Sequence, residues 1–330
     1  MKALKILLIL AFGILIVTSC KNKPKVGLLM DTLERERWKK DMKLIEEKVV
    51  ELGGTCVVAI ADSDPDKQED QAKEMIANGV EVLIVVPVDS KKAGNIVRYA
   101  HKNYVPVISY DRLIKDCNLD YYISTDNIAV GELQANYLTK IKPKGKYGIV
   151  GGSVIDNNAY LLNLGQMNVL QPLVERGDIE IVFSKFSDTW SLHEGYKITN
   201  DYLTNVDTAL DAVIAGNDAI AAGVISALKE HNMDGRVLVA GQDADIEAIR
   251  NIAGGIQTMT IYKPIESMAF AAANAAIKIA DGEAPSNMNL TVNNGKRLVP
   301  AILLPAQIVH RQNIKMTVVS EGFIAAEDIE

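Results

Sequence analysis

The residues of this 330-residue chain best suited to chemistry stand where apolar, β-branched runs stop. VPVISY ends in Asp111-Arg112, YGIVGGSVI leads through glycines to Asp156, Asn157 and Asn158, AVIAG ends in Asn217-Asp218, VLVAG in Gln242-Asp243, and TMTIY in Lys263. Arg37 and the two tryptophans, Trp38 and Trp190, lie in polar segments rather than apolar runs. Carboxylates accept hydrogen bonds from two hydroxyls, a guanidinium donates through a fixed fork, and side-chain amides do both. Such planar groups suit a neutral ligand dense in hydroxyls. A sugar fits, because an indole covers the apolar C–H face of the ring while the edge hydroxyls meet the polar groups. In open α/β sheets ligands bind beyond the carboxyl ends of the strands, so five polar strand ends predict one shared site.

Each residue also has a plainer reading. Asp111, Asp126, Asp218 and Asp243 are each placed to cap a following helix. Arg37 and Lys263 have the form of surface charges with buried stems. Capping explains Asp218 well, but it gives no reason for Arg112 or Lys263 to accompany the carboxylates. Catalytic signatures are missing: no GxGxxG follows a strand, Lys144-Gly145-Lys146 is not completed by Ser or Thr, and no GxSxG occurs. His101, His193, His231 and His310 are scattered, with no HExxH and no cysteine partners for a metal. Asp111 and Asp243 form a conceivable glycosidase pair, yet Arg112 and Lys263 would hold both ionised and poor as general acids. The sequence therefore predicts a binding protein rather than an enzyme, with no cofactor and no metal.

What positions the strand ends is an alternation of short strands with helix-length amphipathic segments, the pattern of βαβ units around largely parallel sheets. Strands are predicted at 25–30, 55–61, 81–88, 105–110, 146–150, 179–183, 210–215, 237–240 and 256–261. Leu44, Ile45, Lys48, Val49 and Leu52 share one helical face, and Gly53-Gly54 ends that helix. The runs divide better into two doubly wound, Rossmann-like lobes with a ligand cleft between them than into an eightfold barrel. Asp120–Asn127 is strand-like but follows its predecessor without room for a crossover helix, and Asn287–Val299 is irregular. Both read as linkers between lobes. The expected lobes are 25–128 with 262–290, and 129–261 with 291–330.

The start of the chain carries Lys2 and Lys5, an apolar run from Ile6 to Val17, and then Val17-Thr18-Ser19-Cys20, which predicts a secretory signal peptide over 1–19. The run is short for a transmembrane helix. The residues before Cys20 resemble a lipobox, which makes Cys20 a lipidation site and 20–24 a polar tether to the membrane. A net charge of −7, made more acidic by removal of the two lysines, argues against nucleic-acid binding. Cys56 and Cys117 are expected to remain unbridged, with Cys56 a buried thiol in an apolar run.

LERERWKKD (33–41), SYDR (109–112), YISTDN (122–127), GELQA (131–135), GGSVIDNNA (151–159), GQDAD (241–245), QTMTIYKP (257–264) and NNG (293–295) carry a family resemblance. Nearly collinearly from Lys25 to Phe323, the chain resembles the periplasmic-type sugar-binding proteins of ABC transporters, within their pentose-binding branch. QTMTIYKP and DNNA are the most specific segments. The resemblance implies a periplasmic binding protein type I fold, an α/β architecture of two lobes joined by three crossovers. It assigns sugar contacts to Arg37, Asp111, Arg112, Asn158, Trp190, Asn217, Asp243 and Lys263, with Trp38 as a second aromatic wall. The implied ligand is D-xylose or a related pentose. The implied partner is an ABC permease or, in a sensing role, the extracellular domain of a receptor or histidine kinase, with the protein held extracytoplasmically on a membrane through Cys20. A signal peptide stands where a sugar-responsive repressor would carry its DNA-binding helices. Two features depart from the freely soluble pentose binders: the cysteine of the lipobox, and Asn163, where a basic residue is common.

Overall fold

The computed structural model describes residues 23–206 and 209–329. The predicted signal peptide and Cys20 lie outside them. The first lobe opens with β1 (Lys25–Met30), α1 (Glu36–Glu51), β2 (Thr55–Ile60), α2 (Pro65–Ala77), β3 (Val82–Val85), α3 (Gly94–Lys102), β4 (Val107–Tyr110) and β5 (Tyr121–Thr125). In β1, Val26, Leu28, Leu29 and Met30 are all fully buried, as expected of a central strand covered by helices on both faces. In α1, Trp38, Asp41, Ile45 and Val49 recur at three- and four-residue spacing and form the buried stripe.

The chain then passes into α4 (Asn127–Ile141), β6 (Gly145–Ser153), α5 (Asn157–Glu175), β7 (Ile179–Ser187), α6 (Leu192–Asn205), β8 (Ala212–Ala215), α7 (Asp218–Glu230), β9 (Leu238–Ala240), α8 (Ile246–Gly254) and β10 (Thr260–Tyr262). It returns to the first lobe through α9 (Ile265–Ala280), β11 (Leu290–Asn293) and β12 (Leu298–Leu304), and ends on the second with β13 (Gln307–Val309) and a tail. The first sheet has the order β11-β12-β5-β4-β3-β1-β2, and the second β7-β6-β8-β9. A bridge between Ala240 and Met259 leads from the second sheet to the β10–β13 pair. Apolar clusters line both faces of each sheet, and a smaller one sits under the tail around Tyr262, Ile314 and Ile324.

One linker expectation is narrowed and the other corrected: within 120–127 the crossing between lobes falls at Asp126 alone. Tyr121–Thr125 is an inner strand, parallel to both β4 and β12. The connection from β4 carries no helix because Leu113, Ile114, Cys117 and Leu119 bury themselves in the first-lobe core and do the work of one. The region 287–299 holds β11 and the turn into β12, a hairpin paired antiparallel with Leu290 opposite Ala301. Its turn is pinned by Asn294, whose Nδ2 donates to the carbonyls of Ile114 (3.1 Å) and Cys117 (2.9 Å), while Gly295 takes φ +94°. Residues 291–304 therefore belong to the first sheet, not to the second lobe. The lobes exchange chain at three places, between β5 and α4, between β10 and α9, and between β12 and β13. Cys56 is half-buried, Cys117 is buried, and both are free. Among the described residues no helix is long and apolar enough to cross a membrane.

Candidate functional site

Where the lobes face each other, one cavity is lined by Arg35, Arg37, Trp38, Asp111, Arg112, Asp156, Asn158, Trp190, Gln242, Asp243 and Lys263. Eight of the nine sequence-predicted sugar contacts are among these. Asn217 is not: it is the N-cap of α7, its Oδ1 accepting from the Ile220 amide at 2.9 Å, while its buried Nδ2 has no partner. The space left in the cavity is about 10 Å³, because side chains of the two lobes meet across it.

Arg37 organises the centre. Its Nη2 donates to Asp111 Oδ2, its Nη1 to Asp243 Oδ1 at 3.2 Å, and its Nε to Asp41 Oδ2 at 3.2 Å. Asp111 belongs to the first lobe and Asp243 to the second, so one guanidinium ties the strand ends together. Lys263, on a crossover, places Nζ 3.8 Å from Asp111 and 3.6 Å from Asp243. Arg112 donates to Asp31 at 2.6 Å and to the Pro87 carbonyl at 3.1 Å, and its Nε lies 2.8 Å from Asp156 of the second lobe. Asn158 reaches back across the cleft, Nδ2 donating to the carbonyl and the carboxylate of Asp111 at 3.1 Å each.

Burial alone would raise both carboxyl groups and lower the guanidinium. The charges reverse this. Asp111 is held well below the usual carboxylate range by Arg37, Lys263 and Arg112, Asp243 is lowered by Lys263, Arg37 and Arg35, and Arg37 is raised well above its ordinary value by Asp111, Asp41 and Asp243. Neither carboxylate can give up a proton near neutral pH, so the pair lacks the general acid that glycoside hydrolysis requires. Asp41 behaves differently: burial lifts it to about 6 against the opposing pull of Arg37 and Tyr110.

The backbone supports the same centre. Asp111 and Asp243 take left-handed conformations, φ +61° and +98°, which non-glycine residues adopt at a cost and which cluster at ligand sites. Each amide donates at 2.8 Å to the next strand, Asp111 to Ile123 and Asp243 to Ile261. Neither residue caps a helix, so that plainer reading fails for both, whereas Asp126 does cap α4, accepting from Ile128 and Ala129. Asp218 does not cap: it is the first residue of α7, and its carboxylate accepts from the Asp245 amide, Thr260 Oγ1 and Gln257 Nε2, holding the loop that presents Asp243.

The walls are aromatic. Trp38 lies under the guanidinium groups of Arg37 (4.4 Å) and Arg112 (5.4 Å). Trp190 rests on Gly152 and Gly216, where a β-carbon on Gly152 would fall within the indole, and its Nε1 donates to Asp156 at 3.1 Å. Four buried polar atoms near the cleft lack a partner: Asp31 Oδ1, Asn158 Oδ1, Asn217 Nδ2 and Gln242 Oε1. Each such atom costs about 1–3 kcal/mol unless something supplies its hydrogen bond. A polyhydroxyl ligand supplies donors and acceptors together.

Arg35, Asp156 and Gln242 line the cavity without being among the contacts expected from the sequence, though Asp156 and Gln242 both follow apolar runs. Arg35 precedes α1 in a run of charged residues without a strand-end signal.

A periplasmic binding protein domain matches residues 26–284. The chain belongs to the periplasmic binding protein family. Within it, this binding protein is 41% identical to the D-xylose-binding periplasmic protein of Escherichia coli over 325 residues, covering 98% of each chain. It is likewise 41% identical to the D-xylose-binding periplasmic protein of Haemophilus influenzae over 305 residues, 92% of each. Among solved structures, a carbohydrate transporter solute-binding protein from Chloroflexus aurantiacus in complex with D-glucose superposes with TM-score 0.87 at 27% identity, covering 93% of this chain and 98% of that one. These relatives are named as binding and transport proteins rather than enzymes.

Proposed function

We propose that this binding protein takes up a single sugar, D-xylose before others, outside the cytoplasm and presents it in a closed two-lobed form to an ABC permease, with a lipid on Cys20 holding it at the membrane. The observation that carries the reading is the cavity where Arg37, Asp111, Arg112, Asn158, Asp243 and Lys263 converge from both lobes and the crossover between them. Identity to xylose binders favours xylose, while the glucose-bound neighbour shows the same fold serving a hexose. The sugar docks on one lobe, and contacts from the other stabilise closure in proportion to their differential interaction. The lipid anchor rests on the Val17–Cys20 segment of the sequence. A thermal-shift panel of pentoses and hexoses, followed by calorimetry, tests the ligand, because a bound sugar stabilises the native state by mass action. D-Xylose should give the largest shift. A response to ribose or galactose without one to xylose overturns the assignment.

A further inference from the structure

Arg35 bridges the two lobes beside the central cavity. Its guanidinium crosses from the first lobe to the second, Nη1 meeting Asp243 Oδ2 at 3.2 Å and Nη2 donating to the Trp190 carbonyl at 2.6 Å. The side chain is 18% exposed, and its fork is held by these two contacts. It stands at the N-cap position of α1 in extended backbone, where a guanidinium, having donors but no acceptor, cannot cap the helix.

Among the described residues, Arg35 alone lines three adjoining spaces. One is the central cavity. A second, about 390 Å³, is bounded by Asp31, Ser153, Asp156, Asp188, Thr189 and Ser191 as well as by both tryptophans. A third, about 610 Å³, lies toward Lys40, Asp245 and Phe323. The second space shares Arg35, Trp38, Arg112, Asp156 and Trp190 with the central cavity, so these five residues border both. Its lining is rich in hydroxyls and carboxylates, and Asp31 Oδ1, buried and without a partner, belongs to it. A sugar ring would find both an aromatic face and acceptors there.

We propose that Arg35 is a specificity-determining gate: by bridging Asp243 and the Trp190 carbonyl it walls the central cavity off from the neighbouring polar space, limiting the ligand to one sugar ring and excluding a disaccharide whose second ring would occupy that space. This rests on the sugar-binding reading above and adds a size limit to it. The wall acts by obstruction, the form of discrimination that rejects a competitor without improving contacts to the preferred ligand. Because the same fork also ties the lobes together, its removal weakens the preferred ligand too, by about tenfold for one partly exposed charged contact.

The test is calorimetry of the full mature protein with D-xylose and with xylobiose, comparing wild type, Arg35→Ala and Arg35→Met. Wild type should bind xylose and reject xylobiose. Arg35→Ala, which removes the wall, should bind xylose about tenfold more weakly and bind xylobiose, moving the affinity ratio by more than tenfold. Arg35→Met, which keeps the bulk and loses the charge, should weaken xylose and still reject xylobiose. Xylobiose bound by wild type as well as xylose, or an unchanged ratio in Arg35→Ala, overturns the gate alone. A wild-type protein that binds no xylose overturns the xylose assignment, and with it the gate as stated.

Discussion

Replacing Asp243 by Asn tests the centre of the site most directly, because it keeps the shape and removes one charge. Asp243 faces Arg37 and Arg35 at 3.2 Å each and Lys263 at 3.6 Å, all against a buried carboxylate. Removing one partner of a buried, hydrogen-bonded charge pair costs on the order of 2–5 kcal/mol. Both guanidinium contacts are longer than the roughly 2.8 Å of a strong charge-assisted bond, which selects the lower half of that range. Arg37 also keeps Asp111 and Asp41 as partners, so only Arg35 loses its carboxylate outright. A loss of about 2–3 kcal/mol corresponds to D-xylose affinity weakened about 30- to 150-fold. Isothermal titration near pH 7 measures it. Asp243 itself should keep its charge as pH falls from about 8 to about 5, since it is held below the usual carboxylate range, so any change of affinity in that interval should vanish in Asp41→Asn, whose wild-type carboxyl is raised to about 6 beside Arg37. An Asn variant that folds normally and binds xylose within threefold of wild type refutes the argument.

Two further outcomes follow from the same geometry. Burial raises Asp41 to about 6, so the folded state binds its proton more tightly than the unfolded chain, and the stability this contributes is lost as pH rises from about 4 through about 6. Urea unfolding of Asp41→Asn should remove that loss, the variant gaining up to about 3 kcal/mol on wild type across this interval; parallel pH profiles of the two proteins would contradict the mechanism. In Gly152→Ala, the new β-carbon overlaps the Trp190 indole. Overpacking should cost about 1–3 kcal/mol of stability and turn the ring out of place. Unchanged tryptophan fluorescence together with unchanged xylose affinity would show that the ring does not depend on that glycine.

The strand-end logic named most of the residues that line the cavity because Asp111, Arg112, Asp243 and Lys263 each follow an apolar run that a sheet must bury, and the backbone then delivers them to one crevice. Asn217 illustrates the limit of that logic. It too ends a strand, but its carbonyl oxygen is committed to the helix that follows, and only three-dimensional geometry shows which way a short polar side chain turns. Arg35 carried no periodic signal at all, since its role comes from reaching across to residues 155 and 208 positions away. Tyr121–Thr125 is strand-like in sequence, but its place inside the first sheet was hidden because a parallel neighbour normally requires a crossover helix, and an apolar loop takes its place. The β11–β12 hairpin was legible in principle: Asn294-Gly295 between two extended runs is a strong turn signal.

The three chain crossings have a kinetic consequence. Lys263 belongs to one of them, and Arg35 meets the same Asp243 carboxylate from the first lobe. In the proposed closure, the bridge from Arg35 to Asp243 and to the Trp190 carbonyl forms only once the two lobes have met. Changes to Arg35 should accordingly act less on how fast sugar is captured than on how long it is kept.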